Sequence, residues 1–319
     1  MKKALFSLLL SSLLLLSACG GGQPSSSGDT EEGTLHILCT TYPVYLFTTA
    51  VTEGVEGVEV SRLIDQQISC LHDYTLTVND MKAIEAADMI VLNGAGLEDF
   101  MSDALAASDA PTIDCSEGVA LLSAPGHEGH DHDTAYDPHI WMDLERAAQV
   151  VANIGTGLAA LDPDHQDTYS QNAQAALDAL DSGLEGTEAL ADLPLITFHD
   201  GFQYFSQATG LDLLKAIEEE EGSEASAAEI LEIVELVRSR DIPAIFTEKN
   251  GSDATAQAIA RETGCAVYQL DMIMSGDGSG IQPYIDAMDR NIDTLLEALA
   301  WPYTSMTISP PGRAAPGPA

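Results

Sequence analysis

Ala87-Asp88-Met89-Ile90-Val91-Leu92-Asn93-Gly94-Ala95-Gly96-Leu97-Glu98 decides the fold. Met89–Asn93 is a short apolar run, the form taken by a strand buried inside a parallel sheet. Gly94 and Gly96 suit a tight turn from strand to helix. The stretch is not a phosphate loop, because it lacks the Lys-Ser/Thr pair that contacts phosphate and metal. On its N-terminal side Val78–Ala87 reads as a helix. Thr77 followed by Asp80 makes a capping-box start, and Ala83, Ile84 and Ala87 form an apolar face. Helix, strand and glycine turn in succession indicate α/β architecture with parallel sheets.

The same alternation extends outward in both directions. Strand-like runs precede it at Leu35–Thr41 and Val58–Ile64, and another follows at Pro111–Cys115. The second half repeats the pattern at Pro194–His199, Leu211–Ile217, Ile242–Glu248 and Cys265–Asp271, with Ser226-Ala227-Ala228-Glu229 as a capping box opening a helix to about Arg240. Between the halves, Leu144 to Leu190 is helical in composition and breaks at Asp162-Pro163, where proline suits the first turn of a new helix. A helix from there to Leu190 has about 27 residues and a length of about 40 Å, which suits a rigid spacer. The expected organisation is two similar α/β lobes with parallel sheets joined by one long rigid α-helix: an N-terminal lobe over 34–160, a linking helix over 161–190, a C-terminal lobe over 191–301, and a disordered tail rich in Pro, Gly and Ala over 302–319.

The 319 residues are enough for two domains at about 150 residues each. With 51 acidic against 12 basic side chains the net charge is −39, which excludes nucleic acid as a partner and excludes docking on anionic lipid through basic patches. Lys2 and Lys3 precede an apolar run from Ala4 to Leu16 that ends in Ser17-Ala18-Cys19. The run is short for a membrane span and closes on small residues, so residues 1–18 read as a cleaved export signal. A cysteine directly after small residues resembles the bacterial lipoprotein signal. On that reading Cys19 is the lipid anchor, held by several acyl chains, and 19–33 is a flexible tether. Of the remaining cysteines, Cys39, Cys70, Cys115 and Cys265, none forms a Cys-x-x-Cys pair, so a cysteine zinc knuckle or a thioredoxin-like motif is not expected.

Three histidines share a setting. His72 lies in Cys70-Leu71-His72-Asp73-Tyr74, between a strand-like run and a helix. His139 lies in Asp137-Pro138-His139-Ile140-Trp141, again ahead of a helix, and His199 ends the strand-like Ile196-Thr197-Phe198-His199. Ligands of α/β sheets gather beyond the carboxyl ends of strands, so the three imidazoles can converge there. Imidazole suits zinc, copper, iron and nickel. A closed tetrahedral zinc site needs a fourth ligand. Asp271 and Glu248 each follow an apolar run, and the residues alone leave both open.

These segments together resemble the zinc/manganese substrate-binding proteins of ABC importers. The resemblance rests on Thr41-Tyr42-Pro43, on Leu71-His72-Asp73-Tyr74-Thr75-Leu76-Thr77, on Ala87 to Glu98, and on Asp137-Pro138-His139-Ile140-Trp141-Met142-Asp143. It continues with Thr197-Phe198-His199-Asp200-Gly201-Phe202-Gln203-Tyr204-Phe205, Leu270-Asp271 and Asn291-Ile292-Asp293, and covers about residues 34 to 300. It implies two lobes joined by a long helix, with the metal in the cleft between them: His72 and His139 from the first lobe, His199 and Asp271 from the second. Histidine at the third position resembles the zinc binders, with manganese as the alternative cation. The short loop His127-Glu128-Gly129-His130-Asp131-His132-Asp133 resembles the His-rich loops of family zinc binders, so His127, His130 and His132 are candidates for an auxiliary metal loop. His36 and His165 fall outside every motif and read as structural or surface residues.

One departure from the family pattern is Leu71 in place of proline, with Cys70 close by. It leaves three options: Cys70 bridged to Cys39, a Cys70 thiolate approaching the metal, or two small buried apolar residues. The role implied is capture of Zn2+ (or Mn2+) at the extracytoplasmic face of the cell membrane by a lipid-anchored monomer, for an ABC permease and its ATPase. It is a transport role and not an enzymatic one, since four protein ligands leave no open position for a reactive water. Two rival classes are a surface zinc hydrolase and an adhesion module.

Overall fold

The structure, a computed structural model, describes residues 33–64, 74–123, 136–181, 187–218 and 225–304, with side chains to residue 299. The chain divides into Met1–Gly33 and one large unit, Thr34–Ala319, which holds everything below. Cys19, the export signal, the tether, Cys70, His72, the 127–133 loop and residues beyond 304 lie outside the described residues.

In chain order the elements are β1 (Leu35–Cys39), α1 (Tyr42–Val51), β2 (Val58–Arg62), α2 (Val78–Ala86), β3 (Met89–Leu92), α3 (Ser102–Ala107), β4 (Thr112–Asp114), α4 (Leu144–Leu161) and α5 (Gln166–Asp181). The second half follows with β5 (Pro194–His199), α6 (Gln203–Thr209), β6 (Asp212–Glu218), α7 (Ala227–Ser239), β7 (Ala244–Glu248), α8 (Ala254–Thr263), β8 (Ala266–Leu270) and α9 (Gln282–Thr304). Both expected capping boxes form. Thr77 and Asp80 exchange hydrogen bonds at the start of α2, and Ser226 and Glu229 do so at the start of α7. Each box satisfies two backbone donors that a helix start leaves over.

The strands pair in two four-stranded parallel sheets, ordered β2-β1-β3-β4 and β6-β5-β7-β8. The two orders are the same, so the chain consists of two α/β lobes of one topology. In each sheet the chain leaves the first strand to one side and later returns to its other side. The crevices between β1 and β3, and between β5 and β7, are therefore the switch points where parallel sheets place ligands.

The connection between the lobes is helical and differs in length from the sequence expectation. The break falls at Asp162-Pro163 as expected, and the chain makes a 3₁₀ turn over Pro163–His165 before α5. His165 Nδ1 and the Tyr169 hydroxyl both meet Asp162 Oδ2 there, at 2.7 and 2.6 Å, and these hydrogen bonds hold the Asp162 carboxyl below its usual range although burial opposes them. α5 is described over 16 residues, Gln166–Asp181, and a 3₁₀ turn over Thr187–Leu190 occupies the end of the expected span. α5 also packs along α4 and α1, and Asn172 Nδ2 donates to the carbonyls of Val51 and Glu53 at 2.9 and 2.8 Å. At the other end, α9 continues to Thr304, past residue 302 where the composition suggested that the tail begins. Among the described residues no helix is long and apolar enough to cross a membrane.

The two lobes meet along a packed seam. Trp141, 1% exposed, donates from Nε1 to the carbonyl of Met272 at 2.9 Å, and Tyr284 of α9 donates from its hydroxyl to the carbonyl of Trp141 at 2.5 Å. The Tyr284 ring meets Phe47 of α1 edge-on at 4.9 Å. At one rim, Arg62 Nη1 donates to the carbonyl of Gly276 at 2.7 Å, with its guanidinium 5.1 Å from the Tyr42 ring centre. The backbone N–H of Gly278 reaches the Tyr42 hydroxyl at 3.1 Å, and that of Gly280 reaches Thr49 Oγ1 at 2.8 Å. One hydrophobic core runs through this seam from the first lobe to Tyr204, Met272 and Tyr284. A second, smaller core, with Ile196, Phe198 and Ile245, sits under α7 and α8.

Candidate metal centre

His199 is the last residue of β5, a strand whose residues from Leu195 on are all buried. Glu248 ends β7, and Asp271 follows β8. The order β5-β7-β8 therefore brings the three acceptor side chains to adjacent carboxyl ends in one sheet. His139 comes from the other lobe, at the start of the 3₁₀ turn Ile140–Met142 that precedes α4.

Both imidazoles are nearly fully buried, 4% exposed for His139 and 3% for His199. Their Nε2 atoms face each other across the lobe boundary at 3.2 Å, with the rings perpendicular at 89°. Each ring has a carboxylate behind it. His139 Nδ1 lies 2.7 Å from Asp137 Oδ1, which also accepts the His139 backbone N–H at 2.9 Å. His199 Nδ1 lies 3.4 Å from Glu248 Oε1. A carboxylate at Nδ1 holds the proton on that nitrogen and leaves the Nε2 lone pair as a donor. Two Nε2 atoms brought this close across the lobe boundary can share one proton or one cation.

Asp137 is itself anchored. Its carbonyl accepts the Tyr204 hydroxyl at 2.7 Å, and its N–H donates to Leu122 at 2.9 Å. Burial pushes the Tyr204 hydroxyl up to about 12, so it remains a proton donor. The Arg146 guanidinium stacks 4.6 Å from the Tyr204 ring centre. A second support comes from the loop that decided the fold. Glu98, fully buried, accepts the Thr40 hydroxyl at 2.6 Å and the backbone N–H groups of Asn93 and Gly94 at 2.7 and 3.0 Å. Burial pushes its carboxyl up to about 7 against the pull of those donors. The loop so held presents Asn93 Nδ2 to the Pro138 carbonyl at 3.0 Å, one residue before His139. Gly94 adopts φ +79°, and a Cβ there would meet Asp114 Oδ1 at 1.9 Å. The glycine turn expected from the sequence thus positions the histidine segment.

The structure brings together His139 and His199, while His72 lies outside the described residues. Asp271 has other partners here: its Oδ2 lies 3.1 Å from Lys249 Nζ and its Oδ1 accepts the Ile273 N–H at 2.8 Å. Glu248, the other candidate for the fourth ligand, stands behind His199 and orients it. Among the described residues no group of three or more His, Cys, Asp or Glu side chains is arranged to hold a metal, and His72 is not among those residues. The Cys39–Cys70 bridge is not formed. Cys39 is a free thiol inside the core, and burial pushes it up to about 12 against a hydrogen bond with Thr48. Cys115 is also free and raised by burial. β1 ends with its cysteine facing α1, which is why it is buried. His36 is half exposed beside Glu59, outside the site.

Sequence reasoning missed three contributors: Asp137, Glu98 and Gly201. For the first, an acid two residues before a histidine is a readable sign. A Cβ on Gly201 would lie 2.9 Å from His199 Cδ2, 3.1 Å from His139 Cδ2 and 2.2 Å from Met272 Cε, so the close approach of the two rings requires glycine.

The chain is 31% identical over 316 residues to the zinc-binding lipoprotein AdcA of Streptococcus pneumoniae serotype 4, an alignment covering 92% of this chain and 60% of AdcA. It therefore spans about 60% of the length of the first relatives it matches. Its structure is similar to that of the SBP FpvC of Pseudomonas aeruginosa in complex with Mn2+, with a TM-score of 0.75, 27% identity, and coverage of 84% of this chain and 99% of that one. It is also similar to the Zn(II)-bound ZnuA-like domain of S. pneumoniae AdcA, with a TM-score of 0.69, 28% identity, and again coverage of 84% and 99%. The profile of the zinc-uptake complex component A family, periplasmic, matches residues 37–298, and the chain belongs to that family, ZnuA.

Proposed function

We propose that this protein captures zinc in the cleft between its lobes, outside the cytoplasm, and hands it to an ABC-type importer. The observation that carries the reading is the pair of buried imidazoles 3.2 Å apart at Nε2, each backed by a carboxylate. Zinc–nitrogen bonds of about 2.0–2.1 Å place two nitrogens of a tetrahedral shell about 3.3 Å apart, close to the separation found. His72 and Asp271 complete the shell on this reading, with Asp271 leaving Lys249 to do so. Glu248 acts from behind His199. Because His139 and His199 belong to different lobes, separating the lobes takes the shell apart. A binding protein that must release its cargo needs this property. Four protein ligands leave no position for a reactive water, so the reading is transport and not hydrolysis. Cys19 anchors the chain to lipid at the extracytoplasmic face of the cell membrane, and the 127–133 loop collects zinc ahead of the main site. The partners are a permease and its ATPase, served by a monomer.

Protein purified without chelator or added metal, and analysed for native metals, is expected to carry one equivalent of zinc. Calorimetric titration of the stripped protein is expected to bind zinc in preference to manganese, in keeping with three imidazole ligands. Native protein loaded with manganese, or stripped protein that binds no zinc stoichiometrically, overturns the reading. A surface adhesion module instead predicts unchanged growth of a deletion strain in zinc-poor medium.

The packing around Gly201 leads to a sharper expectation. Gly201→Ala inserts a methyl between the two rings and Met272. Met272 can swing its terminal methyl away, but the imidazoles cannot retreat without changing the Nε2 separation. Zinc affinity is expected to fall about tenfold, the lower range for disturbing the surroundings of metal ligands, with circular dichroism unchanged. Full affinity in Gly201→Ala shows that the rings adjust freely.

A further inference from the structure

We infer that Lys249 is a built-in competitor of the metal for the carboxylate of Asp271, and that it sets how readily zinc is released. The inference rests on the zinc reading above and adds a determinant of affinity at the same site. Lys249 Nζ sits 3.1 Å from Asp271 Oδ2, and Arg290 Nη2 from α9 lies 4.0 Å from the same oxygen. The chain has 12 basic side chains against 51 acidic ones, so two cations on one carboxylate is a concentration that charge balance alone does not produce. The Asp271 side chain is 16% exposed, and its neighbours Lys249 and Arg290 are 57% and 59% exposed. The carboxylate is thus mostly buried, one residue past Leu270, which pairs with Glu248 beside His199, while the cations reach it from solvent.

The fixed and movable parts are distinct. Asp271 is tied through its backbone: its N–H donates to Asn291 Oδ1, and its carbonyl accepts from Asn291 Nδ2, both at 2.8 Å. Its Oδ1 is occupied by the Ile273 N–H at 2.8 Å. Oδ2 is therefore the oxygen with a partner that can leave. Lys249 follows Glu248, the residue behind His199, and its N–H is held by the Leu270 carbonyl at 3.0 Å. That bond fixes the root of the side chain beside Asp271, while its four-carbon stem stays flexible. In the arrangement described here the ammonium occupies Oδ2. When zinc takes Oδ2, the ammonium must move into solvent, and it remains near enough to repel a dication. When the lobes part, it returns to Oδ2 and opposes recapture. An exposed ion pair contributes little to stability, so the arrangement acts on metal affinity and off-rate more than on the fold.

The test is competition of stripped full-length protein against a zinc chelator, with zinc alone as the probe, for the wild type, Lys249→Ala, Lys249→Arg, Asp271→Asn, the Lys249→Ala/Asp271→Asn double variant, and His199→Ala. Lys249→Ala is expected to bind zinc about tenfold more tightly and to lose it to the chelator more slowly. Lys249→Arg is expected to stay near wild type, and the gain is expected to vanish in the Asp271→Asn background. If Lys249→Ala stays within twofold of wild type, or binds zinc more weakly, while His199→Ala loses zinc, the competitor role is wrong and the zinc site stands. If His199→Ala binds zinc like wild type, the site reading itself fails and this inference with it.

Discussion

His199→Ala and His139→Ala are each expected to weaken zinc binding by two to three orders of magnitude while the metal-free protein still folds. A four-ligand zinc site is worth about 10–16 kcal/mol, which is about 2.5–4 kcal/mol per ligand, and each 1.4 kcal/mol is a factor of ten. The metal-free fold survives the change at a cost: both rings are buried, and losing His139 also takes the Nδ1 partner from the buried Asp137 carboxylate, about 1–3 kcal/mol of stability. Replacing both is expected to cost less than the sum, since the first loss already opens the shell. Calorimetry with zinc and urea unfolding of the stripped protein measure the two halves of the claim. Unchanged affinity in both single variants would falsify the site.

The other large effect concerns the seam. Trp141→Ala is expected to destabilise the protein by about 3–5 kcal/mol, the range for emptying a buried aromatic position. The side chain is 1% exposed, lies 5.2 Å from the His139 ring, and holds the Met272 carbonyl through its indole N–H at 2.9 Å. Trp141→Phe separates the contributions. It retains most of the packing but leaves the Met272 carbonyl without its donor, a loss of about 1–3 kcal/mol for a buried acceptor. Because Met272 lies between Asp271 and Ile273 and touches the space over Gly201, Trp141→Phe should also lower zinc affinity, by less than the histidine variants do. Denaturant unfolding that places Trp141→Ala within 1 kcal/mol of wild type would show that the seam does not hold the lobes.

The support around His139 shows how a site can depend on residues that never meet the cargo. Glu98 gathers three donors and fixes the 93–94 loop; Asn93 then holds Pro138, and Asp137 fixes the ring. The result is an imidazole held at both its backbone and its Nδ1, which limits the reorganisation that metal capture requires.

Much of this was legible in the chain. All eight strands fall where apolar runs stand between turn residues, and both capping boxes form at the positions their spacing indicates, because these signals depend on residues a few positions apart. The likeness of the halves shows in their identical strand orders. The placement of His199 at a strand's carboxyl end could be read from where its apolar run stops. The packing of α5 along α4 and α1 could not, because those contacts join residues that composition does not relate.

The sequence by itself determined the layered α/β architecture and singled out the side chains that are candidates for a metal, since both depend on composition, period or short spacing. Tertiary structure alone decided that His139 and His199 meet, that Glu248 stands behind an imidazole, that Asp271 rests on Lys249, and that Cys39 stays unbridged in the core. The physical reason is that the direction of a side chain at a strand end is set by sheet order and by the loop that follows, through contacts between residues tens of positions apart. Two chemically equivalent carboxylates can then take different roles, and no local pattern distinguishes them.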